Sequence, residues 1–116
     1  MSVLCIQVQP NLAPGMDLGV VREVAAQLGS TTLFTRHREE EGFDNGPYIS
    51  LYFDTPYLSE AWPVIWSQLY EDARIGTLLR ASSIAICEGS NGWDDYLLLH
   101  HFNPAESVDD IGKTEK

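Results

Sequence analysis

The stretch that decides the fold is YISLYFD at residues 48–54, in which every second residue from Ile49 to Phe53 is strongly apolar. An alternation of this kind is typical of a β-strand with one buried face. Residues 31–38 alternate in the same way, although less cleanly. The two segments predict a β-hairpin, and the turn-rich residues 39–47 between them predict a long, acidic loop.

Two other segments carry the three- and four-residue spacing of apolar side chains that predicts an amphipathic helix. The first follows Asp17, a favourable N-cap, and we expect Gly29 to close it at C′. The second begins near Ser59, where Pro63 is tolerated only if it lies in the first turn. A short helical turn is expected at 77–81.

Three further strands complete the predicted sheet. Residues Val3–Val8 are apolar at both parities, as in a central strand. Ser83–Glu88 and Asp95–Phe102 are joined around Asn91-Gly92, a strong hairpin signal. The order β-α-β-β-α-β-β predicts an α/β fold of the α+β kind, a two-layer sandwich with a ferredoxin-like split β-α-β and an extra C-terminal edge strand. Right-handed crossovers would give the strand order 5-4-1-3-2.

Size and composition predict one soluble domain. A chain of 116 residues with 44% apolar and 21% charged side chains suits a single compact unit, expected at 1–103 and followed by a polar tail at 104–116. Cys5 and Cys87 belong to no C-x-x-C pair, so we expect two reduced thiols. We find no export signal and no apolar run of bilayer length, and therefore expect a cytoplasmic protein.

The charge balance restricts the class of partner. Seventeen Asp and Glu stand against seven Lys and Arg, the net charge is −10, and both lysines, Lys113 and Lys116, lie in the last four positions. A surface of this sign repels nucleic acids and anionic membranes and attracts basic molecules. We therefore expect no nucleic-acid or membrane binding, and a monomer or weak dimer whose partner is basic.

No residue pattern typical of catalysis or metal binding is found. His37, His100 and His101 lack a metal-ligand spacing, and the last two should point to opposite faces of a strand. Cys87 has no neighbouring cation to activate its thiol, and no glycine-rich loop precedes a helix N-terminus. The sequence thus predicts no enzyme activity, no metal and no cofactor. A small enzyme remains an alternative that rests on the fold alone.

Three surfaces are candidates for partner contact. Residues 39–44 and 93–96 each combine carboxylates with aromatic side chains, which suits a basic and partly apolar target. A charge run is often only a solvated loop, and Trp93 could instead cap the core. The sheet face without helices, expected to carry Phe34, is the third candidate and could also be a dimer contact. The expected partner-binding residues are Glu39, Glu40, Glu41, Phe43, Asp44, Tyr48, Tyr52, Trp93, Asp94, Asp95 and Tyr96.

The segment ICEGSNGWDDYLLLHHF at residues 86–102 resembles the C-terminal part of immunity proteins from bacterial toxin–immunity systems, in particular those of contact-dependent growth inhibition. The resemblance implies a cytosolic bacterial protein, without catalysis of its own, that binds and neutralises a cognate toxin domain. Many such domains are nucleases with cationic clefts, so a basic nuclease is the implied partner. The alternative is a small-molecule-binding or regulatory module on a ferredoxin-like scaffold, which would need a concave polar pocket.

Overall fold

The structure, a computed structural model, describes residues 2–89 and 91–109. It is a mixed α+β fold with one antiparallel sheet and helices. A 3₁₀ turn, Pro10–Leu12, precedes the first helix, and a π-helical segment, Trp66–Tyr70, continues the second. The elements in chain order are β1 Ser2–Val8, α1 Leu18–Gly29, β2 Arg36–Phe43, β3 Pro47–Thr55, α2 Leu58–Ile65, α3 Gly76–Arg80, β4 Ser83–Gly89 and β5 Gly92–His100.

The five strands lie in the order β2-β3-β1-β4-β5, and every neighbouring pair is antiparallel. The predicted strand order is therefore confirmed, with β1 at the centre. Ile6 is paired with Leu51 on one side and with Ala85 on the other. Because directly paired side chains point to the same side of a sheet, such rows continue across the strands and define two faces.

One face of the sheet packs against the helices and forms the core. Leu4, Ile6 and Val8 of β1 are at most 1% exposed. They cluster with buried side chains of α1, α2 and the π-helical segment, among them Val21, Ile65 and Leu69. Each such side chain contributes roughly 1.5–3 kcal/mol through removal of apolar surface from water. The opposite side of the sheet, which bears Cys5, Tyr52 and Ile86, is called the open face below.

Helix α1 begins as predicted and ends differently. The Asp17 side chain accepts a hydrogen bond from the Val20 backbone N–H at 3.2 Å, which confirms the N-cap. Gly29 was expected at C′, but it is the last helical residue and Ser30 is the C-cap. A Cβ atom at Gly29 would lie 2.4 Å from the Cβ of His37. Close approach of α1 to β2 therefore explains this glycine.

The predicted position of β2 is wrong: the strand was expected at residues 31–38 and lies five residues later, at Arg36–Phe43. Residues 31–35 form a turn after α1, in which the Thr31 hydroxyl donates to the Leu28 carbonyl at 2.8 Å. Phe34 was expected on the open face, but it is buried in the core with its ring centroid 5.3 Å from that of Phe53. The strand starts only at Arg36, so the long acidic loop does not exist. A three-residue turn, 44–46, joins β2 to β3.

The second helix also differs from its prediction. Pro63 lies in the second turn of α2 and not in the first. It is exposed, so the missing N–H lies on the solvent side of the helix, where the loss is smallest. The π-helical segment that follows turns Tyr70 inward, and the Tyr70 hydroxyl lies 2.8 Å from the Ser83 hydroxyl in the core. No helix within the described ranges is long and apolar enough to cross a membrane.

The last strand starts earlier than predicted, at Gly92 instead of Asp95, so that 93–96 belongs to β5 and not to a hairpin tip. After β5 the chain returns to the same strand. The Asp109 backbone N–H donates to the Leu98 carbonyl at 2.7 Å, and the Leu98 N–H donates to Asp109 Oδ2 at 2.8 Å. The rest of the expected tail, 110–116, lies outside the described residues.

Candidate partner-binding site

Two of the three consecutive glutamates of β2 lie on the helix side of the sheet. Their pairing with Leu51 and Ile49 of β3 places Glu39 and Glu41 there, next to α1. Arg22 of α1 binds both carboxylates: its Nε lies 3.1 Å from Glu39 Oε2, and its Nη2 bonds Glu41. These hydrogen bonds, first the one to Glu39, raise the pKa of Arg22 above its usual value. The two acids are thus held by a cation of the same chain.

The third glutamate, Glu40, faces the open side of the sheet and is also paired. Arg38 Nη1 lies 2.6 Å from Glu40 Oε1. The Arg38 guanidinium carbon lies 3.9 Å from the centroid of the Tyr52 ring, a cation–π contact. The three glutamates, called the β2 acidic edge below, are therefore matched by two arginines. The prediction that they form an exposed loop tip is wrong.

Phe43 and Asp44 stand where β2 ends. Phe43 is 79% exposed, as the sequence predicts. The Asp44 backbone N–H donates to the Gly46 carbonyl at 2.9 Å, and Asn45 has a φ of 57°, so this three-residue turn uses the residue types that tolerate left-handed backbone. Both side chains are accessible, and their contact with a partner stays a prediction.

The two predicted tyrosines lie flat on the open face. Tyr48 covers Gly42: a Cβ atom there would lie 2.3 Å from the tyrosine Cζ and hydroxyl oxygen. Tyr52 is half-buried, and burial raises the pKa of its hydroxyl. Beside it, burial also raises the pKa of the Cys5 thiol. Because each ring already packs on its own sheet, neither tyrosine projects as an anchor.

Trp93–Tyr96 form a protrusion on the opposite edge strand, called the β5 bulge below. Cys87 pairs with Leu97 and Gly89 pairs with Gly92, so four residues of β5 stand against one of β4. The bulge presses on β4, since a Cβ atom at Gly89 would lie 1.7 Å from the Asp95 carbonyl oxygen. Trp93 and Tyr96 are 42% and 56% exposed, and Asp94 and Asp95 are exposed as well.

The acids of the β2 acidic edge form ion pairs with arginines, and Asp94 of the β5 bulge differs from them in this respect. Asp94 makes no ion pair within residues 2–89 and 91–109, whereas all three glutamates of β2 do. No cation occurs in the bulge itself. Asp94, next to the exposed ring of Trp93, thus offers a negative charge that a basic partner could use without first breaking an arginine contact.

The two acidic regions are far apart on the molecule. β2 and β5 are the two edge strands. The β2–β3 turn lies beyond the Val8 end of the central strand, and the β4–β5 turn lies beyond its Ser2 end. The expectation that the two hairpins occupy opposite ends of the sheet is confirmed. A partner of ordinary size would reach both only along the open face.

The histidines are held by contacts within the chain. The His37 ring stacks on Phe53, with centroids 4.7 Å apart. His100 Nε2 lies 3.0 Å from the Arg80 carbonyl, and burial lowers the pKa of this ring. His101 Nδ1 accepts a hydrogen bond from the Asn103 N–H at 2.9 Å. Among the described residues no group of three or more potential ligands is placed to hold a metal ion.

Two shallow depressions lie elsewhere on the surface. An apolar groove of about 270 Å³ separates α1 from α2 and is lined by Val24, Leu28 and Val64, among others. A polar depression of about 70 Å³ lies near the β2–β3 turn, between Gln7 and Asp44. Pockets that hold small molecules usually measure about 300–1,000 Å³, so both are below that size.

Sequence reasoning missed two residues that define the edges, Arg22 and Asp109. Arg22 lies on the polar side of α1, and nothing in the linear sequence shows that this side faces β2. Asp109 was assigned to the tail, although Asn103-Pro104 is a signal for a chain reversal. Both contacts join residues more than ten positions apart, beyond the range of periodicity.

Comparisons with known proteins give no relative. No family model matches the chain, and neither the curated proteins nor the solved structures contain a match.

Proposed function

We propose that this protein is an immunity protein that binds a cognate basic toxin domain and neutralises it. The observation that carries the proposal is the β5 bulge, where two exposed aromatic rings flank two exposed carboxylates on an edge strand. Aromatic side chains are the preferred anchors of protein interfaces. The adjacent acids add attraction for arginine and lysine and raise the association rate.

The charge of the whole chain supports the same class of partner. The net charge of −10 creates a field that attracts a cationic surface. A nuclease cleft shaped for phosphates presents such a surface, and acidic side chains can fill it. The resemblance of residues 86–102 to immunity proteins includes the β5 bulge, so two separate arguments converge on one segment. A bacterial cytoplasmic location belongs to this proposal.

The ferredoxin-like topology is also part of the proposal. The strand order with β1 at the centre is the order expected for a split β-α-β unit extended by one edge strand. In that arrangement β5 is the added strand. The proposed binding segment therefore lies on β5, which the split β-α-β unit itself does not require. The sequence of this strand can vary there with little effect on the core.

The alternative, a small-molecule-binding or regulatory module, has less support. It needs a pocket with converging polar groups, and the polar depression near Asp44 has about 70 Å³. A single water occupies about 30 Å³ in the liquid, so this depression suits one or two waters better than a metabolite.

Co-expression tests the proposed function. We expect the protein to protect cells from the toxin domain encoded next to its gene, and the D94N/D95N variant to protect less. Raising the salt concentration from about 0.01 M to 0.15 M should slow association with the purified toxin domain while changing dissociation less. Full toxicity in the presence of the wild-type protein would contradict the immunity function.

A further inference from the structure

The open face of the sheet carries one continuous row of side chains across all five strands. Through pairs of neighbouring strands the row runs from Arg38 to Tyr52, Cys5, Ile86 and Leu98. Cys5 is buried and the others are half-buried. Apart from Arg38, these side chains are apolar or aromatic. The row is therefore a flat surface of low polarity that water still reaches, and such surfaces mark protein–protein contacts.

One arginine at the edge of this face has no counter-charge. The other four arginines of the described chain each bind a carboxylate or a carbonyl oxygen; they are Arg22, Arg38, Arg74 and Arg80. Arg36 is exposed, and its pairing with Asp54 of β3 places it on the open face. Within residues 2–89 and 91–109 its guanidinium makes no ion pair, with Asp54 or with any other acid. Arg36 is thus a cation available to another molecule.

The β5 bulge lies at the same end of the sheet as Arg36, on the opposite edge. Asp54, which pairs with Arg36, also pairs with Val3 of the central strand. The Val3 N–H donates to Glu88 Oε1 at 2.8 Å, and Glu88 lies on β4 where the bulge interrupts the pairing with β5. Four strand spacings, roughly 19 Å, separate β2 from β5. Arg36 therefore cannot neutralise Asp94 of its own chain.

We propose that a second copy of this chain docks on the open face, related to the first by a two-fold axis parallel to β1. Such an axis turns the two open faces towards each other and reverses the order of the strands, so that β2 of one copy lies over β5 of the other. Arg36 of each copy then faces Asp94 of the other. Because a two-fold interface repeats every contact, the unmatched cation and the unmatched anion meet twice.

The size of the face sets the strength of this dimer. Five strands about 4.8 Å apart and seven residues of about 3.3 Å each give a face of about 24 by 23 Å. Two such faces bury about 1,100 Å², slightly below the range of stable interfaces, which starts at about 1,200 Å². The net charge of −10 on each copy opposes association. The dimer is therefore weak and reversible.

The dimer and the proposed toxin complex exclude each other at Asp94. A carboxylate that binds Arg36 of a second copy is not free to bind an arginine or lysine of the toxin domain. Only this exclusion rests on the proposed function; the dimer itself does not. The excluded state would keep the β5 bulge covered until a tighter-binding toxin domain displaces the second copy.

Sedimentation equilibrium of the full-length protein tests the dimer without any toxin. We expect mostly monomers at about 1 μM and mostly dimers at about 500 μM. R36E should weaken the dimer at least about tenfold, and R36E/D94R should restore it to within about threefold by reversing both charges. The control R36E/E60R has the same net charge as R36E/D94R but places the new arginine on α2, so it should stay as weak as R36E.

A substitution in the middle of the open face tests whether the copies meet face to face. Gln7 lies on the central strand and is half-buried on this face. Q7E should weaken the dimer about tenfold, because a carboxylate in each copy would lose water on association. Q27E makes the same change at an exposed position of α1 and should have less than about a threefold effect.

Three results would overturn the dimer. These are a protein that stays monomeric up to about 1 mM, equal dimer strength in R36E/D94R and R36E/E60R, or equal strength in Q7E and Q27E. None of them would contradict the proposed function, which concerns the toxin domain. The exclusion has its own test: adding the toxin domain to the dimer should give complexes with one copy of each chain. Complexes that retain two copies of this protein would overturn the exclusion alone.

Discussion

The two edge strands, β2 and β5, both carry acids but use them differently. On β2 the acids are tied to Arg22 and Arg38, and the strand pairs regularly with β3. On β5 the regular pairing with β4 is interrupted by the bulge, and its aromatic and acidic side chains are exposed. The comparison teaches that the number of carboxylates does not locate a binding site. Their counter-charges and the backbone that presents them are more informative.

The two edges also protect themselves from unwanted strand pairing in different ways. β2 carries charged side chains at five of its eight positions, which disfavours pairing with another strand. β5 is covered at Leu98 by Asp109. The charges of β2 protect this edge without help from another segment, whereas the protection of β5 depends on Asp109, which comes later in the chain.

The largest expected effect concerns two glycines, Gly42 on the edge strand β2 and Gly89 at the end of β4, where β4 contacts the β5 bulge. In G89A the new Cβ would meet the Asp95 backbone, and in G42A it would meet the movable ring of Tyr48. We expect a loss of about 3 kcal/mol in the free energy of unfolding for G89A and about 1 kcal/mol for G42A, because backbone cannot move aside as a side chain can. Urea unfolding of both variants measures this difference. Equal losses would show that the β5 bulge adjusts as easily as the β2 edge.

The next largest effect is the loss of toxin-domain affinity when the exposed aromatic residue on one or the other edge is replaced. W93A should weaken toxin-domain binding by about 2 kcal/mol, roughly thirtyfold, if Trp93 is the anchor of the interface. F43A on the other edge should change affinity by less than about 0.5 kcal/mol. Calorimetric titration of both variants gives the values. A larger loss for F43A would move the binding site to the β2–β3 turn.

A smaller effect is expected at the arginine that distinguishes β2. R22A should lower the free energy of unfolding by about 1 kcal/mol or less, because exposed ion pairs are weak. It should also leave toxin-domain affinity unchanged or slightly improved, since it frees Glu39 and Glu41. Thermal unfolding and titration of the same preparation test both statements. Strongly reduced binding would show that Arg22 orders the real interface.

The smallest expected effect is the pH dependence of stability that arises from His100, the last residue of β5. Burial lowers the pKa of His100 below its usual 6.5, so the unfolded state takes up this proton at higher pH than the folded state does. The stability from the neutral ring is complete above about pH 6.5 and is lost as the pH falls below it. When the pH is lowered from about 7.5 to 5.5, the free energy of unfolding should therefore decrease by a few tenths of a kcal/mol less in H100N than in the wild type. An identical loss would show that His100 does not titrate in this range.

Sequence patterns predict well those elements whose apolar residues keep one regular spacing and pack into the core. β3 and α1 were predicted because Ile49–Phe53 and the residues after Asp17 keep one period throughout. The predicted β2 was misplaced because Thr31–Thr35 has strand-like composition, yet Phe34 is drawn into the core. Glu39–Glu41 has loop-like composition, yet an edge strand next to Arg22 accepts it. In both cases a contact made by the fold outweighed the local pattern.

The candidate site was predicted as a set of residue types and not as an arrangement. Trp93, Asp94, Asp95 and Tyr96 were identified from the pairing of aromatic and acidic side chains, and they are exposed together. The sequence could not show that they form a bulge, since the register shift between β4 and β5 and the close approach of Asp95 to Gly89 involve no periodic pattern. It also could not rank them above Glu39–Glu41, because that ranking comes from arginines elsewhere in the chain.

The most direct test of the account compares charge removal on the two edges. D94N/D95N and E39Q/E40Q each remove two negative charges with little change in shape, so any effect of total charge is the same in both. We predict that D94N/D95N weakens toxin-domain affinity at least tenfold, about 1.4 kcal/mol, while E39Q/E40Q changes it less than threefold. Both variants should keep the wild-type melting temperature within a few degrees. Equal affinities for the two variants, or a larger loss for E39Q/E40Q, would contradict the claim that the β5 bulge binds the partner.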